Sequence, residues 1–247
     1  MSLAVLARGC GWIVVAKPPR MLTHRTPRTR RALAALQLVR DQVGASVYPI
    51  HRLDAPTSGC LLFATVRALA GPLSAALSAG QKRYLALVRG CCPPDARFTM
   101  SEPLHDDNGI LKDAETSLRC LGADPARRAS LVLAQPSTGR FHQVRRHLRR
   151  LSHPVIGDRA HGDSHVNRSW RSQGIDRLAL HCAQLSLTLP SGELLSVSCP
   201  LFSDQHRVYH TLPMWPSAVA ALPGLSARPI PLPAAVSRPP PTEHTEM

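Results

Sequence analysis

Aromatic side chains are scarce: four Phe, three Trp and three Tyr make up 4% of the 247 residues. A core in this chain must therefore rest on Leu, Val, Ile and Ala. Lysine is scarcer still, with only Lys17, Lys82 and Lys112. No apolar run approaches the roughly twenty residues that a membrane-crossing helix needs. The opening stretch carries Arg8 among its apolar residues and shows no small-residue cleavage site, so it reads as a first strand and not a signal peptide. The seven cysteines (Cys10, Cys60, Cys91, Cys92, Cys120, Cys182 and Cys199) are odd in number and contain no C-x-x-C pair. That argues against a disulfide framework or a zinc site and for a reducing cytoplasm. Cys60 and Cys199 lie in apolar, strand-like runs, where buried inert thiols are expected. Also missing are a P-loop, a dinucleotide G-x-G-x-x-G and an H-E-x-x-H helix. The sequence thus offers none of these motifs for a nucleotide cofactor or a catalytic metal.

What the chain has in excess is positive charge. Thirty Lys and Arg face 16 acidic residues, a net charge of +14, and 27 of the thirty are arginine. Such a field draws polyanions, a nucleic acid first and an anionic membrane second. Arginine forks onto phosphate and stacks on bases, which suits RNA. A GC-rich genome also favours arginine codons; it accounts for Arg over Lys but not for the net charge.

With 44% hydrophobic residues the chain can bury a core. Trp12–Val15 reads as a strand, Thr29–Gln42 as a helix, Gly59–Val66 as a buried strand and Arg67–Ala79 as a helix ending at Gly80. Lys82–Val88 alternates like a strand, and Glu115–Leu121 and Ser130–Ala134 look like two more. Phe141–Leu151 predicts a helix, with Phe141, Val144, Leu148 and Leu151 on its apolar face and Arg145, Arg146, Arg149 and Arg150 on the other. Pro190-Ser191-Gly192 separates a last pair of strands, Leu180–Leu189 and Glu193–Ser198. These elements predict an α+β domain over residues 1–212, with a mixed, largely antiparallel sheet flanked by helices and loops. Residues 213–247 turn Pro- and Ala-rich and are expected to form a floppy tail without a core.

Three segments carry chemistry. In Ile50–Ala64, IHRLDAPTSGCLLFA, Asp54 stands between Arg52 and a turn of Pro56, Thr57, Ser58 and Gly59 that feeds a buried strand. Neighbouring cations favour its charged form. The same residues are also ordinary turn formers. In Pro136–Leu151, PSTGRFHQVRRHLRRL, a Thr-Gly turn leads into the basic helix and presents His142, Gln143 and Arg145 at its start. A helix of this kind can also do no more than touch phosphate or solvent. Gln81–Gly90, QKRYLALVRG, holds Tyr84, and a lone strand tyrosine is more often core than catalytic.

Taken together, HRLDAPTSG, KRYLALVRG and TGRFHQVRRHL followed by HPVIGD (His153–Asp158) resemble, in order and spacing, the RluA-type pseudouridine synthases. Lys17-Pro18 with His24 resembles that family's opening segment, and Leu180-His181 with the following hairpin its last strands. The resemblance spans about residues 10–205. Gly162-Asp163, His165, Asn167-Arg168 and the doubled Arg145-Arg146 resemble the branch that modifies uridine 65 of tRNA. The resemblance implies the pseudouridine synthase fold and an isomerase that needs no cofactor. In it the sugar–base bond breaks, the uracil turns, and a ring carbon rejoins the sugar. It implies Asp54 as the indispensable carboxylate, acting as nucleophile or in an elimination to a glycal. Tyr84 matches the tyrosine that packs on the base and is a candidate for the later proton removal. Arg145 matches the arginine that pairs with the carboxylate. Val144 matches an apolar neighbour of the base, and Arg52 an arginine that can fill the stack left by a flipped uridine. Lys82, Arg140, His142, Gln143 and Arg146 are the further expected RNA contacts.

Three positions depart from the pattern: Arg20 where glycine is frequent, Phe141 where a polar residue stands, and His161 where tyrosine is common. No separate RNA-binding domain precedes the motifs, so the catalytic domain is expected to supply most RNA contacts, as a cytoplasmic monomer. Readings that compete are a sister enzyme acting on ribosomal RNA, an RNA-binding paralogue without activity, and a metal-dependent nuclease. The nuclease would need converging carboxylates. Only Asp106-Asp107 and Asp158 with Asp163 cluster, in loop-like sequence, and His142 and His147 are five apart, wrong for a helical ligand pair.

Overall fold

A computed structural model describes residues 1–106 and 108–237. The strands are β1 (Val5–Gly9), β2 (Trp12–Lys17), β3 (Tyr48–Pro49), β4 (Ser58–Ala64), β5 (Gln81–Arg89), β6 (Arg97–Met100), β7 (Leu104–His105), β8 (Leu111–Lys112), β9 (Thr116–Asp124), β10 (Ala129–Pro136), β11 (Leu180–Thr188) and β12 (Leu194–Ser198). The helices are α1 (Ala35–Val43), α2 (Ala70–Ala79), α3 (Gln143–Arg150), α4 (Ser164–Ser172), α5 (Ser203–Tyr209), α6 (Trp215–Ala221) and α7 (Ala234–Ser237).

Ten strands form one sheet in the order β1-β2-β4-β11-β5-β10-β9-β6, with β12 branching from β11 and β3 from β4. Among the described strands only β4 and β11 run parallel. β4 is buried along its whole length and β5 from Tyr84 to Val88. Strands covered on both faces read as continuous apolar runs instead of alternating ones. Gly59 pairs with Cys182 in the β4–β11 ladder at φ +122°, where a Cβ would lie 2.2 Å from the Cys182 carbonyl oxygen, so no side chain fits. The expected α+β architecture with its mixed, largely antiparallel sheet is the one observed.

Three local expectations need correction. The helix expected over Thr29–Gln42 starts only at Ala35, after a 3-10 turn at Pro27–Thr29. Leu22 forms a bridge with Ala34 and exchanges amide hydrogen bonds with Leu33 and Ala35, so sheet-like pairing consumes the first predicted turn. Phe141, placed by periodicity on an apolar helix face, precedes α3 and is 47% exposed. The chain from Pro213 is packed as far as it is described. Met214, Ala218, Leu222 and Leu225 are buried, at 4-4-3 spacing, with Pro216 in the first turn of α6. Helical periodicity lay under a proline-rich composition, and Pro is tolerated in that first turn. Residues 238–247 of the expected tail lie outside the described residues, as does Asp107.

Candidate active site

One cleft of about 790 Å³ opens on the face where the loop before β4, the middle of β5 and the start of α3 meet. Asp54, Tyr84, Arg145, Arg52, Lys82, Arg140, His142, Gln143 and Val144 all line it. Nine of the ten residues singled out in the sequence therefore converge. Arg146 does not line it; its Nη1 donates to the carbonyls of His105 and Phe141.

The loop bearing Asp54 is fastened from beneath. The Thr57 amide donates to the Asp54 carbonyl, closing the turn. Thr23 Oγ1 donates to the Leu53 carbonyl and accepts from the Leu53 amide. The Met21 amide donates to the Ala55 carbonyl. Lys17, fully buried, donates from Nζ to the carbonyls of Pro18, Met21 and Ala55. Burial lowers its pKa to about 7, and the Asp54 charge works against that shift. These bonds join the Lys17-Pro18 segment to the Asp54 loop and leave the carboxylate facing the cleft, with its side chain 25% exposed.

Asp54 Oδ2 accepts from Arg145 Nη1 at 3.0 Å, as the resemblance implied. The rest of that guanidinium goes elsewhere. Arg145 Nε and Nη2 make a bidentate pair with Asp158 at 2.7 and 2.8 Å, and Asp158 is fully buried. The Asp158 carboxylate also accepts the amides of Ala160 and His161. Burial acts to raise its pKa, but the Arg145 hydrogen bonds and charge outweigh it, and the net shift is downward. Asp158 is the residue that sequence reasoning underrated: the Gly-Asp pair was visible, but its contact with Arg145 is tertiary.

The segment that follows supports Asp158. Asn167 accepts the Gly157 amide through Oδ1 and donates through Nδ2 to the Asp158 carbonyl. Asp163 caps α4 by accepting the His165 and Val166 amides, and pairs with Arg89. Asp106 accepts the Asn108 and Ile110 amides and pairs with Lys112. Asp106, Asp158 and Asp163 are thus engaged in holding loops. Among the described residues no group of three or more His, Cys, Asp or Glu could hold a metal ion.

The other predicted contacts divide. Val144, in the first turn of α3, is 7% exposed and forms apolar wall. Arg52 is exposed at the rim, and Lys82 is half-buried. Arg140 reaches the Asp113 carbonyl through Nε. Gln143 is buried and fully bonded inward: its Oε1 accepts from Thr138 Oγ1 and the Arg140 amide, and its Nε2 donates to the Glu115 carbonyl and Thr116 Oγ1. It ties the loop before α3 to β9, with its side-chain amide engaged within the protein. Tyr84, 8% exposed, sits opposite Cys182 on β11 and Ala134 on β10. Burial first, then Cys182 and Asp54, push its phenol pKa well above the usual value. His142 stands at the N-terminus of α3 with its Nε2 3.7 Å from Asp54 Oδ2.

Comparison with known proteins identifies the family. Residues 11–150 match the family described as RNA pseudouridylate synthase. The tRNA pseudouridine synthase C of Pasteurella multocida is 38% identical over 212 residues, covering 77% of this chain and 87% of that protein. The protein of the same name from Salmonella typhimurium is 38% identical over 216 residues, covering 77% and 82%. Among solved structures, human RNA pseudouridylate synthase domain containing 1 superposes with a TM-score of 0.63 at 26% identity, covering 81% of this chain and 83% of that one. With a family model matched over more than half of the chain, a similar fold and relatives aligned over most of their length, the chain belongs to the RNA pseudouridylate synthase family.

Proposed function

We propose that this chain converts uridine to pseudouridine in tRNA, at uridine 65, with Asp54 as the reacting carboxylate. The observation that carries the reading is the Arg145–Asp54 contact in a basic cleft large enough for a nucleotide. The tRNA substrate is supported by the names of the relatives and the position by the Gly162–Arg168 signature.

The chemistry follows from what the cleft presents. A carboxylate held by a guanidinium is fixed in its aim. It can attack the sugar carbon C1′ or take a proton from C2′; both release the uracil as an anion that turns within the pocket. Val144 and the Tyr84 ring form the apolar faces between which the base turns. Arg52 at the rim and the cations around it bind phosphate, and Arg52 is placed to enter the stack that the flipped nucleotide leaves. No oxidation, phosphoryl transfer or added water occurs, so no cofactor enters the scheme. We read the protein as a cytoplasmic monomer; its seven cysteines are free thiols, and no described helix is long and apolar enough to cross a membrane.

The test is to map pseudouridine in tRNA from cells with and without the gene, then to add purified protein to the unmodified tRNA. Loss and restoration of the mark at position 65 is the expected result. A mark lost from ribosomal RNA instead would move the substrate.

A further inference from the structure

His142 occupies a conformation that asks for a reason. Its φ is +54° and ψ +25°, in the left-handed region that side chains other than glycine avoid. Such backbone strain is retained where surroundings enforce it, and it concentrates at reacting sites. Here it swings the imidazole from the start of α3 over the cleft. One face stacks on Phe141, with centroids 3.7 Å apart, and the ring edge meets His161. Nδ1 lies 2.9 Å from His161 Nε2, so the outward nitrogen, Nε2, is the one beside Asp54.

From this geometry we infer that His142, held by His161, is the proton carrier of the last step: it takes the hydrogen from C5 of the rejoined base. The inference rests on the pseudouridine synthase reading. When C5 bonds to C1′ it still bears its hydrogen, while N1 has none. Loss of that hydrogen turns the C–H pair into the C5–C6 double bond, and the former N1–C6 π pair returns to N1, which gains a proton. Imidazole accepts the first proton on Nε2, and the imidazolium returns one to N1 or to water. No net proton, oxidant or co-reactant is consumed.

The location is right because C1′ must come within bonding or near-bonding reach of the Asp54 carboxylate. The carbon being deprotonated is bonded to C1′, and Nε2 stands 3.7 Å from that carboxylate. The step uses the tautomer in which Nδ1–H is donated to His161, which leaves a lone pair on Nε2. The groups facing the ring are Asp54, Arg145, His161 and Asp158. Burial lowers its pKa to about 4; Asp54 and Asp158 oppose the shift, and Arg145 and His161 reinforce it. The imidazole is therefore neutral, the form that accepts a proton, throughout the neutral range. Tyr84, the other candidate, would have to act as a phenolate that its surroundings disfavour. Its ring is left to pack on the base.

The test uses the full chain and a tRNA transcript made with ordinary or 5-deuterated uridine, in single turnover. His142→Gln is expected to lower the rate by about 10²- to 10⁴-fold while tRNA affinity stays near that of the unsubstituted protein. Deuterium should then slow the variant more than it slows the unsubstituted protein, because C5–H cleavage has become limiting. His161→Phe removes a group that holds the His142 pKa down, so the acid limb of kcat should move to higher pH. An unchanged rate in His142→Gln, or a slower rate with no added deuterium effect, overturns the inference, as does an unmoved acid limb in His161→Phe. Failure of the unsubstituted protein to form pseudouridine in any RNA would instead overturn the reading beneath it.

Discussion

Two Arg–Asp pairs with buried guanidinium groups flank the Asp54 loop, and they differ in one arm. Arg145 holds Asp158 with Nε and Nη2 and extends Nη1 to a partly exposed carboxylate in a cleft. Arg177 holds Asp204 in the same bidentate way, but its Nη1 ends on Ser58 Oγ and the Leu178 carbonyl. Ser58 Oγ in turn meets His181 Nδ1, and His181 Nε2 meets the Cys199 carbonyl. The second network closes on itself. The first is left open, toward a carboxylate that faces the cleft. The same device therefore serves as a strut in one place and as a lever in the other. What decides is where the third arm points, not how strong the pair is.

The largest effect should come from breaking the open pair. Arg145→Ala is expected to cost at least about 10²-fold in pseudouridine formation, measured in single turnover, because the arm on Asp54 is gone. It should also cost about 3–5 kcal/mol in urea unfolding, because the buried Asp158 loses its counter-charge. Next, Asp204→Ala should cost a similar 3–5 kcal/mol, yet leave the rate per folded molecule unchanged. A large rate loss there would erase the distinction between the two pairs. Replacing both members sharpens it: Arg177→Met with Asp204→Leu should fold and work, whereas Arg145→Met with Asp158→Leu should fold and not work.

A third prediction concerns the closed network and pH. Burial first, then the Arg177 charge, lowers the His181 pKa to about 4, against opposing contributions from the Cys199 carbonyl and Asp204. The folded value lies below the unfolded one. The stabilisation is therefore full above about pH 6.5 and lost as pH falls toward 4, by roughly 3 kcal/mol for this group. Urea midpoints should drop across that window, and His181→Asn should flatten the drop. The smallest effect is expected outside the cleft. Arg146→Ala should leave the rate alone and reduce the salt dependence of tRNA binding by about one phosphate contact, a slope change of roughly 0.7–0.9.

Much of this was legible in the chain. The strands at β2, β4, β5, β10, β11 and β12 stand out because they are apolar and bounded by turns, and the open pair's functional half could be named through Asp54 and Arg145. What stayed hidden is what depends on tertiary contact. Asp158 reads as a loop residue until Arg145, 13 positions earlier, is seen to meet it. Arg177, His181 and Asp204 are charged or polar types that are usually exposed, and nothing local shows them buried together. Gln143 lies within a functional motif, yet its amide is fully engaged inward. The edge strand β6, with three of its four residues exposed, has too little pattern to announce itself. Residues 213–237 mislead because a proline-rich composition masks the 4-4-3 spacing of Met214, Ala218, Leu222 and Leu225.

The most direct test of the central claim is Asp54→Asn, which keeps size and hydrogen bonding but removes the charge. With purified protein and unmodified tRNA, no pseudouridine should form over many turnover times of the unsubstituted enzyme, while tRNA binding stays close to normal. Product formation at the ordinary rate would show that the reacting group lies elsewhere.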